Sequence, residues 1–302
     1  MASSRRPLAS PIGPIPIFIC AGLSACTAET VWGCPVNVCK INMQMDGANM
    51  PRRSMFAVAR ALVSSGGYSR LWSGLGASLQ RQLVYGQLRI GVYNSIVDSN
   101  VFDTQNIRSK LFVGALAGVS SAALANPLDL IIVRTQAESS LPSTKQRYNR
   151  GAFRSIATVY RELGLLGMFS RGVGPTMSRA AIVTACEQGT YDFLKHALMR
   201  DFGFRDALPV HLTSSFVAGL SASIVSCPID VVKTHVMASS GRESVSSWVV
   251  ARKLLRRPAS LYRGFVPYYF KVGPWAMVMF VAFEQYKRLY ILGSEATRGA
   301  LF

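Results

Sequence analysis

The sequence predicts an all-α membrane protein with six transmembrane helices in three tandem two-helix repeats. Six apolar stretches are each long enough to span a bilayer. A proline-led segment recurs three times at nearly constant spacing. Basic residues crowd into alternate connectors rather than spreading along the chain.

Hydrophobic residues make up 50% of the 302 residues and charged residues only 16%, where a soluble domain carries roughly 25%. The apolar stretches lie near 14–39, 74–97, 110–135, 173–198, 211–236 and 265–290, and a helix needs about 20 residues to cross the hydrocarbon core. Most contain Gly, Ser, Thr or a charge, which suits helices packed around a wet interior. A large soluble helical protein is the competing reading, and intramembrane charges at matched spacings argue against it.

The formal net charge is +18, and it has an address: segments 40–72, 134–171 and 233–263 hold 19 of the 33 Lys and Arg. Connectors 97–110 and 195–211 hold two and three. Such asymmetry orients membrane proteins and suits a face lying on anionic lipid. Without an RNA- or DNA-binding motif, it does not indicate nucleic acid. Cys20, Cys26, Cys34, Cys39, Cys186 and Cys227 fall in or beside the spans with no CxxC pair, so neither a disulfide frame nor a metal site is indicated. No catalytic triad or phosphate-binding glycine loop occurs, so neither an enzyme nor a cofactor is expected. The N-terminal segment shows no secretory cleavage site.

Pro35 opens PVNVCKINMQ, Pro127 opens PLDLIIVRTQ and Pro228 opens PIDVVKTHVM. A second match follows each: LWSGLGASLQRQ from Leu71, MFSRGVGPTMSRA from Met168 and LYRGFVPYYFKVG from Leu261. Each repeat is span, basic connector, span, with a short amphipathic helix expected at Met55–Val63, Ala152–Leu163 and Val245–Leu255. The division is a tail over 1–13, repeats over 14–100, 108–201 and 209–291, and a tail over 292–302. Proline removes a backbone donor and is expected to kink each first span. Small residues ahead of it (Gly22 with Cys26, Gly114 with Gly118, Gly219 with Ser223) allow close helix approach.

The triple P-x-[DE]-x-x-[KR] signature resembles that of the mitochondrial carrier family, over about residues 15 to 290. The resemblance implies a pseudo-threefold barrel around one central site, short surface helices on the matrix side, alternating access and a multi-pass place in the mitochondrial inner membrane. It implies that the acid of each odd helix pairs with the base of the next, closing the matrix side. Here Asn37 replaces one acid and Ile132 one base, both in the same cyclic pair. Asp129 with Lys233 and Asp230 with Lys40 remain, so no charge is orphaned. Gln44 and Gln136 match the family's bracing glutamine, and Met237 does not. On the cytosolic side the family's [FY]-[DE]-x-x-[KR] is met by Tyr191–Lys195 and Phe283–Lys287 but not by Tyr93–Val97. Among Asp192, Lys195, Glu284 and Lys287, only Asp192 with Lys287 forms a cyclic pair. The thinner cytosolic gate predicts an empty carrier open to the cytosol.

Thirteen residues before Asn94, Asp192 and Glu284 stand Arg81, Arg179 and Lys271. That is about 20 Å of helix, near mid-membrane, where charges are expensive and usually functional. Together with Gln82 they are the candidate substrate-binding residues, and a substrate with two carboxylates supplies the counter-charge. The bland alternative is pairing with fixed acids, of which Glu29, Glu187 and Glu284 are available. Arg89 and Glu187 sit at equivalent positions and are read either as a pair lining the path or as a structural pair. Glu29 is read either as a proton-coupling acid or as a counter-ion to Arg89. Trp275 and Tyr85 are candidates for the substrate wall or for core packing.

SLQRQLVYGQLRIGVYNS and KVGPWAMVMFVAFEQYKR resemble the uncoupling proteins. PLDLIIVRTQAESSLPSTKQRYNRGAF resembles the dicarboxylate and 2-oxoglutarate/malate carriers, although Gly273-Pro274-Trp275 stands where those carriers usually show Gly-Pro-His. The resemblance implies an electroneutral antiporter of dicarboxylates such as malate or 2-oxoglutarate. The alternative is a proton or anion transporter of the uncoupling type, motivated by Glu29 and Trp275, and a third reading is a scaffold that has lost transport. Partners are expected to be small anionic metabolites and anionic lipid such as cardiolipin, with the protein a monomer.

Overall fold

The structure, a computed structural model, describes residues 14–45, 53–99, 107–148, 151–200, 208–239, 246–256 and 260–299. The expected N-terminal tail and the predicted helix start at Val245 lie outside these residues. In the first unit, α1 (Pro14–Ala28) passes through one π-helical turn (Glu29–Gly33) into α2 (Cys34–Met45), followed by α3 (Met55–Gly66) and α4 (Leu75–Asp98). The second comprises α5 (Ile107–Leu124), α6 (Asn126–Ala137), α7 (Ala152–Ser170) and α8 (Val173–Arg200). The third comprises α9 (Leu208–Ala238), α10 (Ser247–Leu255) and α11 (Phe265–Gly299), which runs past the span expected over 265–290. Each unit is a long helical run, a short helix and a second long run, giving the six spans of the fold.

On hydropathy alone, Pro16–Met45 and Thr213–Ala238 are long and apolar enough to cross a membrane. Phe112–Leu124 with Asn126–Ser140 joins them when its limbs, bent by 58°, are taken as one span. The second span of each unit carries charges in its interior, Arg81 and Arg89, Arg179 and Glu187, Lys271 and Glu284. Helices that line a polar interior carry such residues at the expense of hydropathy.

The three prolines are set differently. Pro35 follows the π turn, a device that absorbs an extra residue within a helix. Pro127 opens α6 just after a break at Ala125, where the Asn126 side chain donates to the carbonyls of Met168, Phe169 and Arg171. Pro228 lies inside α9, which continues through it without interruption. One missing i→i−4 bond is accommodated there by the helix on either side.

Packing is concentrated at the end that carries the basic connectors. One apolar cluster joins Ile41, Ala77, Leu130–Val133, Tyr148, Val159, Met168 and Met237, and another joins α2 to Val58 and Leu62 of α3. Among the described side chains of α4, α8 and α11, the buried ones sit near the helix starts: Ala77 and Ser78, Thr176, Pro267 and Tyr268. The bundle is therefore sealed at the basic end, while the second spans lack buried residues toward the other.

Arg134 fastens the seam between α6 and α9. Its guanidinium donates to the carbonyls of Met237 and Ser239 at the end of α9, to Tyr148 Oη and to Glu162 Oε2 at 2.8 Å. These bonds satisfy carbonyls that a helix C-terminus otherwise leaves open.

Glycines with positive φ precede each second span: Gly74 (76°), Gly172 (76°) and Gly264 (81°). Each lies against the odd helix of the next repeat. A Cβ on Gly264 would stand 3.1 Å from Gln44 Cγ and 3.3 Å from the Lys40 carbonyl. Gly264→Ala combines left-handed strain of about 1–2 kcal/mol with this crowding, and is expected to lower the melting temperature of the purified protein by several degrees. Gly91→Ala, inside α4 and facing open space, does not lower it, since alanine is the better helix former.

Candidate functional site

A cavity of about 360 Å³ lies between the long helices. Its floor is built from residues that follow the three prolines. Asp129 and Asp230 lie two residues beyond Pro127 and Pro228, and Lys40 and Lys233 lie five beyond Pro35 and Pro228. Positions three apart share a helix face, so acids and bases meet across the seams. Lys233 Nζ donates to Asp129 Oδ2 at 2.6 Å, and Lys40 Nζ lies 2.5 Å from Asp230 Oδ2. Gln44 Nε2 donates to Asp230 at 2.9 Å while its carbonyl accepts from Thr234 at 2.7 Å. In the third seam Asn37 Nδ2 donates to Gln136 Oε1 at 2.6 Å. The partner of Asn37 is thus the glutamine of the next repeat rather than buried Ile132, whose side chain has nothing to offer an amide. Met237, at the third glutamine position, is fully buried and packs under Gly172.

Arg81, Arg179 and Lys271 line the cavity above this floor, and each meets an acid. Arg81 Nε pairs with Asp129 Oδ1, Arg179 Nε lies 3.0 Å from Asp230 Oδ1, and Lys271 Nζ lies 3.8 Å from Glu29 Oε1. Of the acids available to the pairing alternative, Glu29 meets Lys271; among the described residues no ion pair reaches Glu187 or Glu284, although Glu187 lies close enough to Arg179 and Arg89 to feel their charge. The arginines take the floor aspartates instead. Helical side chains point back toward the N-terminus, and α4 and α8 start at the basic end, so their guanidinium groups reach down. Glu187 and Glu284 lie eight and thirteen residues farther toward the opposite end.

Glu29 is 2% exposed and sits in the π turn, where its Oε2 accepts from Gln82 Nε2 at 2.9 Å. Its partners are Gln82 and Lys271, which corrects the expectation of Arg89: that arginine is exposed, two turns farther along α4. Arg89 and Glu187 are likewise not joined by an ion pair among the described residues. Trp275 lines the cavity, packs its ring edge against Gly33, and buries an indole N–H that finds no hydrogen-bond partner among the described residues. Tyr85 lines it too, with the Arg81 guanidinium 5.1 Å from its ring centre.

At the opposite end Asp192 and Glu284 are exposed and Lys195 and Lys287 half-buried. No ion pair joins Asp192 to Lys287 among the described residues, in keeping with second spans that lack buried residues there. Thr27 Oγ1 and Tyr286 Oη do meet, at 2.8 Å.

Tyr268 was not singled out in the sequence. Its hydroxyl accepts from Arg179 Nη2 at 3.1 Å and lies 3.3 Å from Ser226 Oγ, and Lys40 Nζ sits 4.6 Å from the ring centre. It stands three residues ahead of Lys271, where the other repeats have Ser78 and Thr176. Counting one further helical turn back from the cations would have found it. Thr234, which steadies Gln44, was missed because a threonine in an apolar run carries no distinctive signal.

The described lining holds five cations (Lys40, Arg81, Arg179, Lys233, Lys271) and four acids (Glu29, Asp129, Glu187, Asp230). Fixed acids nearly balance the cations, and the remaining positive charge favours an anion.

The family described as mitochondrial carrier protein matches residues 13–100, 103–202 and 205–294. The chain is 36% identical over 286 residues to the zebrafish protein named dicarboxylate carrier UCP2, covering 90% of this chain and 91% of that one. It is 32% identical to mitochondrial uncoupling protein 2 of Arabidopsis thaliana, over 91% of this chain and 93% of the relative. To mitochondrial brown fat uncoupling protein 1 of sheep it is 33% identical, over 91% and 92%. The chain belongs to the mitochondrial carrier family: it is a multi-pass transporter of small solutes in the mitochondrial inner membrane, and not an enzyme.

Proposed function

We propose that this carrier exchanges dicarboxylates, of the malate and 2-oxoglutarate class, by electroneutral antiport. The observation that carries the reading is the equivalent cation in all three repeats, with Arg81, Arg179 and Lys271 converging on one cavity. Two guanidinium groups suit two carboxylates, each able to bind in bidentate fashion. Gln82 adds a neutral donor. The name of the zebrafish relative agrees with this class.

Coupling to movement follows from shared partners. Asp129 is held by both Arg81 and Lys233, and Asp230 by both Arg179 and Lys40. A dicarboxylate competes for the arginines, leaving each aspartate with its lysine alone. Binding thereby loosens the floor, which in this reading is the matrix gate braced by Gln44 and Gln136. The equilibrium shifts by the difference in affinity between the two states. Asp192, Lys195, Glu284 and Lys287 form the cytosolic gate in the other state, so the arrangement described is the cytosol-open one. The carrier works as a monomer in anionic lipid such as cardiolipin. In support, Arg171 and Gly172 at the start of α8 share a cavity with Ser246 and Ser247 at the start of α10, and helix starts attract phosphate.

A proton or anion transporter of the uncoupling type is the second reading. It is favoured by the buried carboxyl of Glu29, whose one ion pair among the described residues is with Lys271 at 3.8 Å, and by the names of the plant and sheep relatives.

Proteoliposomes separate the two. Exchange of external labelled malate for internal 2-oxoglutarate is expected, and fatty-acid-dependent proton flux without exchange would establish the second reading. Arg179→Ala is expected to lower the uptake rate divided by KM about 100-fold, the loss of charge-assisted bonds to a carboxylate; unchanged uptake would remove this residue from the site. The neutral seam gives an independent check on the gate. Asn37→Asp alone and Ile132→Lys alone each add a charge to the floor without its cross-seam partner and lower thermal stability. The double variant restores a third ion pair, with a coupling of about 1–3 kcal/mol in a mutant cycle, and slows exchange. Additive effects would count against the floor as a gate.

A further inference from the structure

Asp230 is the most heavily contacted group of the floor. Lys40, Arg179 and Gln44 all reach it. One side chain touches two of these three without touching the acid. Tyr268, 7% exposed, accepts a hydrogen bond from Arg179 Nη2 at 3.1 Å and exchanges one with fully buried Ser226 at 3.3 Å. Its ring carries the Lys40 ammonium 4.6 Å from the centre and the Arg179 guanidinium at 5.5 Å. The backbone of Tyr268 is fixed at the start of α11, where its N–H donates to the Gly264 carbonyl at 3.0 Å and Gly264 rests on α2.

The equivalent positions are Ser78 and Thr176. Thr176 is engaged by the Asn126 side chain and the Gly172 carbonyl, and Ser78 Oγ has no hydrogen-bond partner among the described residues. Neither is long enough to reach from a cavity cation to a floor lysine. The link is therefore a property of one corner, and the threefold repeat does not require it.

We infer that Tyr268 is a positioning residue that couples occupation of Arg179 to release of Lys40, resting on the reading of Arg179 as a substrate-binding residue. Two chemically separable contacts do this. The hydroxyl orients the guanidinium while the site is empty. When a substrate carboxylate takes Arg179, that hydroxyl is free to donate to the same carboxylate. The ring face holds Lys40 against Asp230, an attraction that weakens when the ring follows the guanidinium.

The two contacts predict different kinetics. Tyr268→Phe keeps the ring and loses the hydroxyl; it is expected to raise the KM for labelled malate about tenfold with the maximal rate within twofold. Tyr268→Leu loses both. It is expected to raise KM similarly and also to increase malate efflux from loaded vesicles with no counter-substrate outside by about fivefold, because the gate is held less firmly. Both are compared with wild type and Arg179→Ala at equal amounts of reconstituted protein. The same kinetic change in Phe and Leu variants, with no rise in unpaired efflux, would reduce Tyr268 to packing and overturn the inference. So would wild-type kinetics in both variants alongside a dead Arg179→Ala, which leaves the site reading intact. Full uptake by Arg179→Ala, or none by the wild type, overturns the site reading and this inference with it.

Discussion

Two buried aspartates each hold two cations, and the rest of the site is arranged around that fact. Asp129 and Asp230 lie within a turn of a proline, on helices that meet at the sealed end of the bundle. Each takes one lysine from a neighbouring odd helix and one arginine from an even helix. A buried carboxylate with a single partner is a costly arrangement whose desolvation is only partly repaid. A second cation improves the balance for the acid but leaves an excess of positive charge facing the cavity. The same geometry therefore closes one end and makes the site receptive to anions. Removing either aspartate takes the acid from two cations at once, so the floor pairs and the cavity arginines cannot be varied independently.

The architecture was legible in the sequence because its signals are periodic. Three prolines, three second matches and three basic connectors gave the repeats, and six long helical runs follow them. The floor pairs were legible for the same reason, since a fixed offset from proline fixes a helix face. What was not legible were contacts that depend on the direction in which a side chain leaves its helix. Glu187 and Glu284 were available acids in the pairing alternative, yet Arg81 and Arg179 point back toward their N-termini and find Asp129 and Asp230. Glu29 looked like a partner for Arg89, but the π turn carries it to Gln82 and Lys271 instead. Tyr268 and Thr234 act through geometry that their residue types do not announce. Pro228 shows the reverse case: a strong local signal for a break, absorbed by a continuous helix.

The departures from threefold symmetry are also physically consistent with one another. Where Asn37 replaces an acid, Ile132 replaces its base, and Gln136 supplies the amide's acceptor. Loss of only one member would have left a buried ion without a counter-charge, at a cost of about 3–5 kcal/mol. Loss of both exchanges an ion pair for a hydrogen bond between neutral groups, worth about 1 kcal/mol net. The exchange is tolerable because Asn42 adds bonds from its amide to the Gln136 carbonyl and to Ser139 across the same seam.

The three seams of the sealed end consequently differ in kind. Between α6 and α9 stand the Asp129–Lys233 pair and the buried Arg134 guanidinium, which grips two carbonyls at the end of α9. Between α9 and α2 stand the Asp230–Lys40 pair, the Gln44 brace and the Tyr268 ring. Between α2 and α6 stand neutral amide and hydroxyl contacts, with the buried Arg70 guanidinium donating to the Ser139 carbonyl. Neutral hydrogen bonds exchange with water at little net cost, whereas parting a buried ion pair requires each ion to be rehydrated or re-paired. The sealed end is therefore not held symmetrically. The α2–α6 seam is held by hydrogen bonds and apolar packing, with no ion pair across it among the described residues. The two ionic seams part only when something takes the cations' place or supplies their counter-charge, and both converge on the arginines that line the cavity.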